Sequence, residues 1–445
     1  MKTIRTKIIT TTTMILAMVF TLTAQNKPWT LDDCINYALS KNIQVQQAGL
    51  SGERNQLYSE QAKAAKLPSL SASARKNFNW SKEIDDQTGE YGSLNGSNST
   101  SFSVGSSVVL YNGMKLNNAI RQSELDFQSS LLNTETVKES VQLSILNAFL
   151  QVLYAKENVS NAEKQIEATT GQIALAEERL ALSIISQSDY LQIKSELASE
   201  KLTLANAKSQ LTVAQVSLMQ LMELPVTETF EIASVNLGEL LNKNMIPSAE
   251  DVYLQALEIK PQIKKAEIDK QSAELDEKIA KASLLPSLSL DAGLSTAYSS
   301  ITNGFNYAEQ LQNKINPSLG LSLSIPIFQK KQAKTSIGLA QIGVRDAELQ
   351  EINTKNQLRK EVEQAAVDVV SAQTEYEASQ EQYQAVKESN DVASEKFHLG
   401  LMNSVDYLFE KTNLITSESK FLQSKYNLIF SYKILDFYKG VPLTL

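Results

Sequence analysis

Two stretches decide how this chain is read: Glu178–Leu197, ERLALSIISQSDYLQIKSEL, and Glu395–Leu414, EKFHLGLMNSVDYLFEKTNL. They lie 217 residues apart and share Glu178/Glu395, Leu182/Leu399, Asp189/Asp406, Tyr190/Tyr407, Leu191/Leu408, Lys194/Lys411 and Leu197/Leu414. Each falls between two long, proline-free, charged segments rich in Leu and Ala, so each reads as the turn of a long helical hairpin. A chain that builds one hairpin twice is a duplication, and a repeat of this kind frames every other reading.

Working outward, no proline occurs between Pro68 and Pro225 or between Pro326 and Pro442. Met114–Leu182 and Lys331–Leu399 are equally long, and each spans about 100 Å as one unbroken helix. The return helices carry heptads, Leu197, Leu204, Leu211, Leu218 and Leu414, Phe421, Leu428, Leu435. A seven-residue seam implies left-handed coiled-coil packing. Upstream, Trp29–Lys66 and Ser248–Leu285 form a second matched pair of helices. Thr30 and Ser248 are placed as N-caps, with acids in the first turn. Lys260-Pro261 predicts a kink in the second copy only.

Between the helices the period changes to two. In Ser69–Trp80, Leu70, Ala72, Ala74, Lys76, Phe78 and Trp80 alternate with Ser, Arg and Asn; Thr100–Tyr111 alternates Phe102, Val104 and Val108 with Ser101, Ser103 and Ser107. The second copy repeats this with Leu288, Leu290, Ala292 and Leu294, then Leu319, Leu321, Leu323, Ile325 and Ile327. Four strands of about ten residues, apolar on one face and rich in serine on the other, are the pattern of a membrane β-barrel wall. The alternative is a sheet on a soluble core, but no spare apolar element exists to cover it. Ser81–Ser99 and Ser300–Asn316 read as irregular loops. Phe78, Trp80, Phe102 and Tyr298 fall toward that rim, and Tyr111 and Phe328 toward the other.

Four strands cannot close a barrel, and an open edge cannot face lipid. Other copies of the chain must supply the missing pairing; two, three or four copies satisfy the pattern, and three give twelve strands.

The first 24 residues read as a secretory signal, with Lys2, Arg5 and Lys7 before the apolar run Met14–Phe20. Removing it leaves 39 basic against 50 acidic residues, a net charge of −11 instead of −8, which disfavours nucleic-acid partners. Aromatic content is only 7%, as suits long helices with narrow seams. The sole cysteine, Cys34, reads as a buried small apolar residue, and the sole histidine, His398, as a solvated helix residue near a tip. With one of each, no histidine triad or multi-histidine metal site can form, and no glycine-rich phosphate loop is present. Neither an enzyme nor a cofactor is expected.

The order helix, strand pair, long helix, turn and return helix, twice over, resembles the TolC family of outer-membrane efflux proteins. Leu67-Pro68-Ser69-Leu70 and Leu285-Pro286-Ser287-Leu288 at the strand entries carry the resemblance, together with Val108–Gly113 and Ile325–Lys330 at the exits and the paired tips. The resemblance implies a mainly α chain with an α-helical barrel continuous with a 12-stranded transmembrane β-barrel in a homotrimer. It implies a periplasmic adaptor and an inner-membrane pump as partners, and contact with outer-membrane lipid. The organisation expected is a signal at 1–24, repeats at 25–224 and 248–438, a connector at 225–247 and a tail at 439–445. A surface coiled-coil protein and a diffusion porin are the alternatives; the strands oppose the first and the long helices the second.

The candidate site is the pair of tips. Ser186 and Asn403 read as N-caps with Asp189 and Asp406 at the third helical position. Capping alone accounts for both acids; three copies would also gather six carboxylates near one axis, a ring that favours cations. The resemblance supports Asp406 as a constriction residue. Family members often carry a second acid three residues later and an arginine shortly after the glycine, where this chain has Phe409 and Met402. Leu182, Ser183, Ile184 and Ile185, with Leu399, Gly400, Leu401 and Met402, are the adaptor-docking candidates, because exposed apolar groups at a tip need a partner. Arg179 and Lys396 match across the repeat and are candidates for locking the gate by pairing with acids on a neighbouring hairpin, against a reading as exposed surface charges.

Overall fold

The structure, a computed structural model, describes residues 28–84, 87, 89–226, 230–235, 247–302 and 304–445. The signal and most of the connector lie outside the described residues. The elements are α1 Leu31–Lys41, α2 Ile43–Ala64, β1 Ser69–Ile84, β2 Tyr91–Tyr111, α3 Lys115–Ala181, α4 Gln187–Leu221, α5 Ala249–Ile259, α6 Pro261–Ala282, β3 Ser287–Ser299, α7 Tyr307–Asn313, β4 Asn316–Ser324, α8 Gln332–His398 and α9 Ser404–Tyr438. The duplication is metrical: α1 and α5 have 11 residues each, α2 and α6 have 22, α3 and α8 have 67, and α4 and α9 have 35.

The chain divides into two compact units, each drawing on both repeats. One holds residues up to Gln47, Glu135–Lys260 and Asn356–Leu445; the other holds Ala48–Thr134 and Pro261–Lys355.

The second unit carries one antiparallel sheet in the order β1-β2-β3-β4. Its register lays like upon like. Ala72 pairs with Val104, Val104 with Leu294, and Leu294 with Pro317; Val108, Leu290 and Leu321 form another apolar row. On the opposite face Ser73, Ser103, Ser295 and Asn316 align, and the Ser73 and Ser103 hydroxyls are 2.8 Å apart. An irregularity between Val109 and Tyr111 inserts Leu110 and brings Tyr111 opposite Leu288. One extra residue reverses strand parity, so the bulge turns Tyr111 onto the apolar face. That face is uncovered: Leu70 is 77% exposed and Leu321 68%. Only the short helix α7 touches this face, at the far end of β3, where Thr296 Oγ1 donates to the Leu311 carbonyl (2.6 Å) and the Tyr298 and Tyr307 rings meet at 4.8 Å; the polar contacts of the long helices run among themselves, as in Ser129 donating to Asp269 (2.5 Å) and Lys270 pairing with Glu351 (2.9 Å).

Several expectations are corrected here. Ser81–Ser99 is largely strand, because the β1–β2 ladder continues past Trp80 to Ile84 and Tyr91. Hydrogen bonding of the backbone sustains it where the side-chain alternation fades. Ser300–Asn316 contains α7, capped by Asn306 and pinned by buried Gln310, whose amide bonds the backbone at Ser299. β4 stops at Ser324, before Pro326, which has no N–H to give a ladder.

Gly113, at the exit of β2, has φ +66°, and a Cβ there would lie 2.7 Å from Cβ of Leu285. Its repeat partner Lys330 adopts φ 48° with a side chain, so crowding rather than the turn alone fixes the glycine. Gly113→Ala is expected to destabilise the protein by about 1–3 kcal/mol, read as a lower midpoint in thermal unfolding; Lys330→Ala should shift it far less.

The first unit is helical. Cys34, Ile145, Leu146, Phe149, Val152, Leu218, Met222 and Ile429 are fully buried in its core. Burial pushes the Cys34 thiol up to about 12, consistent with an inert apolar residue. Trp29 pairs with Ile232 in a parallel bridge, and buried Phe230 meets the Trp29 ring at 6.0 Å, which ties the described part of the connector to α1.

The expectation of one helix over Trp29–Lys66, kinked only in the second copy, is also corrected. Both copies break, at Asn42 and at Lys260. Asn42 Oδ1 accepts from the Gln44 amide (2.9 Å) while Nδ2 donates to the carbonyl of Leu221 (2.9 Å). Lys260 instead buries its ammonium 3.2 Å over the Phe437 ring and 3.3 Å from Glu139. A side chain that bonds its own backbone competes with the helix, and this signal at Asn42 does not need proline. Thr30 forms the expected capping box with Asp33, whereas Ser248 makes no side-chain cap hydrogen bond. In α4 the buried positions are Ile193, Glu200, Ala207, Leu218 and Met219, so from Ile193 to Ala207 the seam runs beside the leucine heptad, with small and charged residues at its centre, and of that heptad only Leu218 is buried.

Candidate functional site

Both tips are built alike. α3 ends in a residue with positive φ, Ser183 (59°), and α8 in Gly400 (75°). Ile184 N donates to Arg179 O and Leu401 N to Lys396 O, each at 2.8 Å, the long-range bond of a Schellman cap. Ser183 accepts the strained conformation that Gly400 adopts freely. The chain then restarts at once. Ser186 Oγ accepts from Asp189 N (3.1 Å), and the Asp189 carboxylate accepts from Ser186 Oγ (2.6 Å) and Ser186 N (3.3 Å). At the second tip Asn403 Oδ1 accepts from Asp406 N, and Asn403 Nδ2 donates to Asp406 Oδ2, both at 2.8 Å.

Asp189 has a second role. Ser404 Oγ, in the first turn of α9, donates to its free oxygen at 2.5 Å. Hydrogen bonds from Ser186, and then from Ser404, hold the Asp189 carboxyl below the usual carboxylate range. A depressed folded-state pKa means the group favours the assembled tip above its unfolded value, and the benefit is lost as pH falls through the folded one. Asp406 is exposed and makes its contacts within its own cap. The two candidate acids are thus brought to one end of the helical unit, with Ser404 linking the first to the helix that bears the second.

Leu182, Ile184, Leu399 and Leu401 are exposed, Leu401 at 74%. Ser183 and Gly400 are exposed with them, while Ile185 and Met402 are half-buried. Arg179 is half-buried and donates through Nη1 to the Phe397 carbonyl (3.2 Å) and through Nη2 to that of His398. Its partners within the chain are carbonyls at the end of a helix dipole, and it is neither paired with a carboxylate there nor fully exposed. Lys396 is exposed. His398 serves through its carbonyl and is half-buried rather than solvated.

Sequence reasoning missed a cluster above the tip. Tyr407 is buried, stacks on Phe397 at 4.7 Å and meets Gln172 through its hydroxyl. One turn further, Lys411 Nζ donates to Glu200 and Thr169, with Lys411 6% and Glu200 4% exposed. The second oxygen of Glu200 has no hydrogen-bond partner. The signal was there: Glu200 lies seven residues from Ile193 and from Ala207, a charged residue at an apolar seam position.

Among the described residues there is no cluster of three or more metal-ligating side chains, and no helix is long and apolar enough to cross a membrane.

Comparison with known proteins gives a consistent result. The model of the outer membrane efflux protein family matches residues 34–223 and 252–440. The pyoverdine export outer membrane protein OpmQ of Pseudomonas aeruginosa is 26% identical over 210 residues, 47% of this chain and 42% of that protein. The match therefore spans less than half the length of that relative. The outer membrane efflux protein BepC of Brucella suis biovar 1 is 20% identical over 340 residues, 74% of this chain and 69% of that one. Among solved structures, the CmeC outer membrane channel of Campylobacter jejuni superposes with a TM-score of 0.77 at 19% identity, covering 92% of this chain and 85% of the other. The open state of the MtrE outer membrane channel of Neisseria gonorrhoeae gives 0.73 at 19% identity, covering 92% and 88%. These two likenesses establish a common fold.

Proposed function

Because the chain belongs to the outer membrane efflux protein family, we propose that it works as a homotrimeric channel-tunnel, a passive exit duct of a tripartite efflux or type I secretion system. The observation that carries this reading is the uncovered sheet. Its apolar face is continuous across four strands, its other face is lined with serine, and β1 and β4 end it on both sides. Lipid against one face, water against the other and a further copy at each edge answer all three features at once. The boundaries 25–224, 225–247, 248–438 and 439–445 are retained as the repeat organisation. No catalytic role is assigned; energy comes from a pump in the inner membrane, reached through a periplasmic adaptor. The exposed Leu182, Ile184, Leu399 and Leu401 are the surface for that adaptor. Outer-membrane fractionation with unheated gel migration tests the reading: a trimer band in the membrane fraction supports it, and a soluble monomer overturns it.

At the tip, Asp189 and Asp406 from three copies form the acidic constriction, with Arg179 and Lys396 bracing it. A ring of carboxylates attracts cations and repels anions. Asp406→Asn is expected to reduce cation selectivity, measured as the reversal potential across a planar bilayer under a salt gradient. An unchanged reversal potential and conductance would remove Asp406 from the gate.

A further inference from the structure

The apolar face of the sheet is not evenly filled. A groove of about 360 Å³ runs across it, walled by Ala72, Ala74, Phe102, Val104, Leu294 and Ile315. Ala72 and Ala74 leave the space, and Phe102, Leu294 and Ile315 stand exposed around it. Its depth follows from the register. Tyr111 lies opposite Leu288, and Thr100 lies opposite Tyr298, further along β3. At about 3.4 Å per residue and a tilt of about 40°, those two rows stand about 25 Å apart, the height of the apolar band of an outer-membrane barrel. Lys76, Thr100 and Tyr298 therefore mark one edge of the band, and the groove starts one row inside it, at Ala74, Phe102 and Thr296. α2 leads into β1 and β2 leads into α3 at the other edge, so in the duct the α7 edge is the outward one. α7 closes the groove on that side: Thr296 Oγ1 donates to the Leu311 carbonyl at 2.6 Å, and the Gln310 side chain bonds both the N–H and the carbonyl of Ser299 at 3.1 Å.

The mouth of the groove is basic. Lys76 is exposed, with Nζ 5.3 Å from the centre of the Phe78 ring. Lys314, beside Ile315, is exposed too, and its Nζ meets neutral groups, Gln310 Oε1 at 3.0 Å and Thr302 Oγ1 at 3.3 Å. Among the described residues no carboxylate pairs with either ammonium. Between Lys76 and Tyr298 in the register lies Thr100, 7% exposed, whose hydroxyl has no hydrogen-bond partner. Such a hydroxyl is costly at the edge of a hydrocarbon layer. Resting on the duct reading above, we propose that the groove binds one acyl chain of the bisphosphorylated glycolipid of the outer leaflet, lipid A, with its phosphates on Lys76 and Lys314 and a headgroup oxygen accepting from Thr100. The acyl chain alone does not select the lipid, because the surrounding tails are equally apolar. Selection lies in the headgroup. A phosphate monoester carries a charge of about −1.5 to −2 near pH 7, and two of them match two unpaired ammoniums, where a phospholipid offers a single diester.

Native mass spectrometry of the full-length trimer tests this, after titration in detergent with lipid A, dephosphorylated lipid A or phosphatidylglycerol. The parent is expected to take up lipid A to one per copy and to bind the other two lipids about tenfold more weakly. Lys76→Gln with Lys314→Gln should bring lipid A down to the level of its dephosphorylated form. Ala74→Phe fills the groove and should weaken both forms alike, whereas Val108→Phe, two rows beyond the groove on the same face, should change neither. Equal binding of lipid A and phosphatidylglycerol by the parent overturns the proposal, since only general lipid contact is then left. So does parent-like selectivity in the lysine double variant, or a parent trimer that retains no lipid because a neighbouring copy fills the groove. Should Ala74→Phe fail to assemble, the lysine double variant decides alone. A parent that forms no trimer in the outer membrane instead defeats the duct reading itself.

Discussion

Leu321→Arg should abolish most of the assembled trimer while the chain's helices still fold. Leu321 lies in the row Val108–Leu290–Leu321 on the apolar face and is 68% exposed in the single subunit. In water an exposed leucine is replaced by arginine within about 0.5 kcal/mol either way. Against the hydrocarbon of a bilayer the same change costs about 2–4 kcal/mol at mid-depth, and a trimer bears it in every copy. The control is one residue away. Ser322 lies on the opposite, serine-lined face, and Ser322→Arg should leave assembly intact. The measurement is the fraction of heat-sensitive trimer recovered in the outer membrane for each variant. Equal recovery for the two would mean that lipid does not touch the apolar face.

What sequence made legible, and what it did not, follows from the range of each interaction. The strands were legible because pairing one face to lipid and one to water imposes a period of two on every residue. The tips were legible because capping is local: Ser186, Asp189, Asn403 and Asp406 act within three positions of one another. The break at Asn42 was missed since it depends on a carbonyl 179 residues away as well as on its own turn. The β1–β2 hairpin beyond Trp80 was missed because backbone hydrogen bonds hold it without side-chain patterning. The bonds from Arg179 to the carbonyls of Phe397 and His398 were not legible, for helix carbonyls leave no mark in composition. Glu200 and Lys411 were hardest: each looks like an ordinary surface charge until three helices bring them together.

Lys411→Met is expected to lower stability by about 3–5 kcal/mol, because removing one member of a buried ion pair strands the other. Glu200 is 4% exposed, and one of its carboxylate oxygens already lacks a partner; with the ammonium gone, the other keeps no charged donor. Thr169 offers only a hydroxyl that already donates to the Gln165 carbonyl at 3.0 Å. The double variant Lys411→Met with Glu200→Leu removes both ions and refills the seam with apolar volume beside Ile193 and Ala207. It should recover most of the loss or exceed the parent, since a buried pair repays its own desolvation poorly. Thermal denaturation of the detergent-solubilised trimer for the parent, both single variants and the double closes the cycle. A large loss in each single variant and a small one in the double marks the pair as a device that keys one hairpin to the other at the expense of stability. Additive losses would mean that Lys411 and Glu200 act independently, and the pair would then be no lock between α9 and the α3–α4 hairpin.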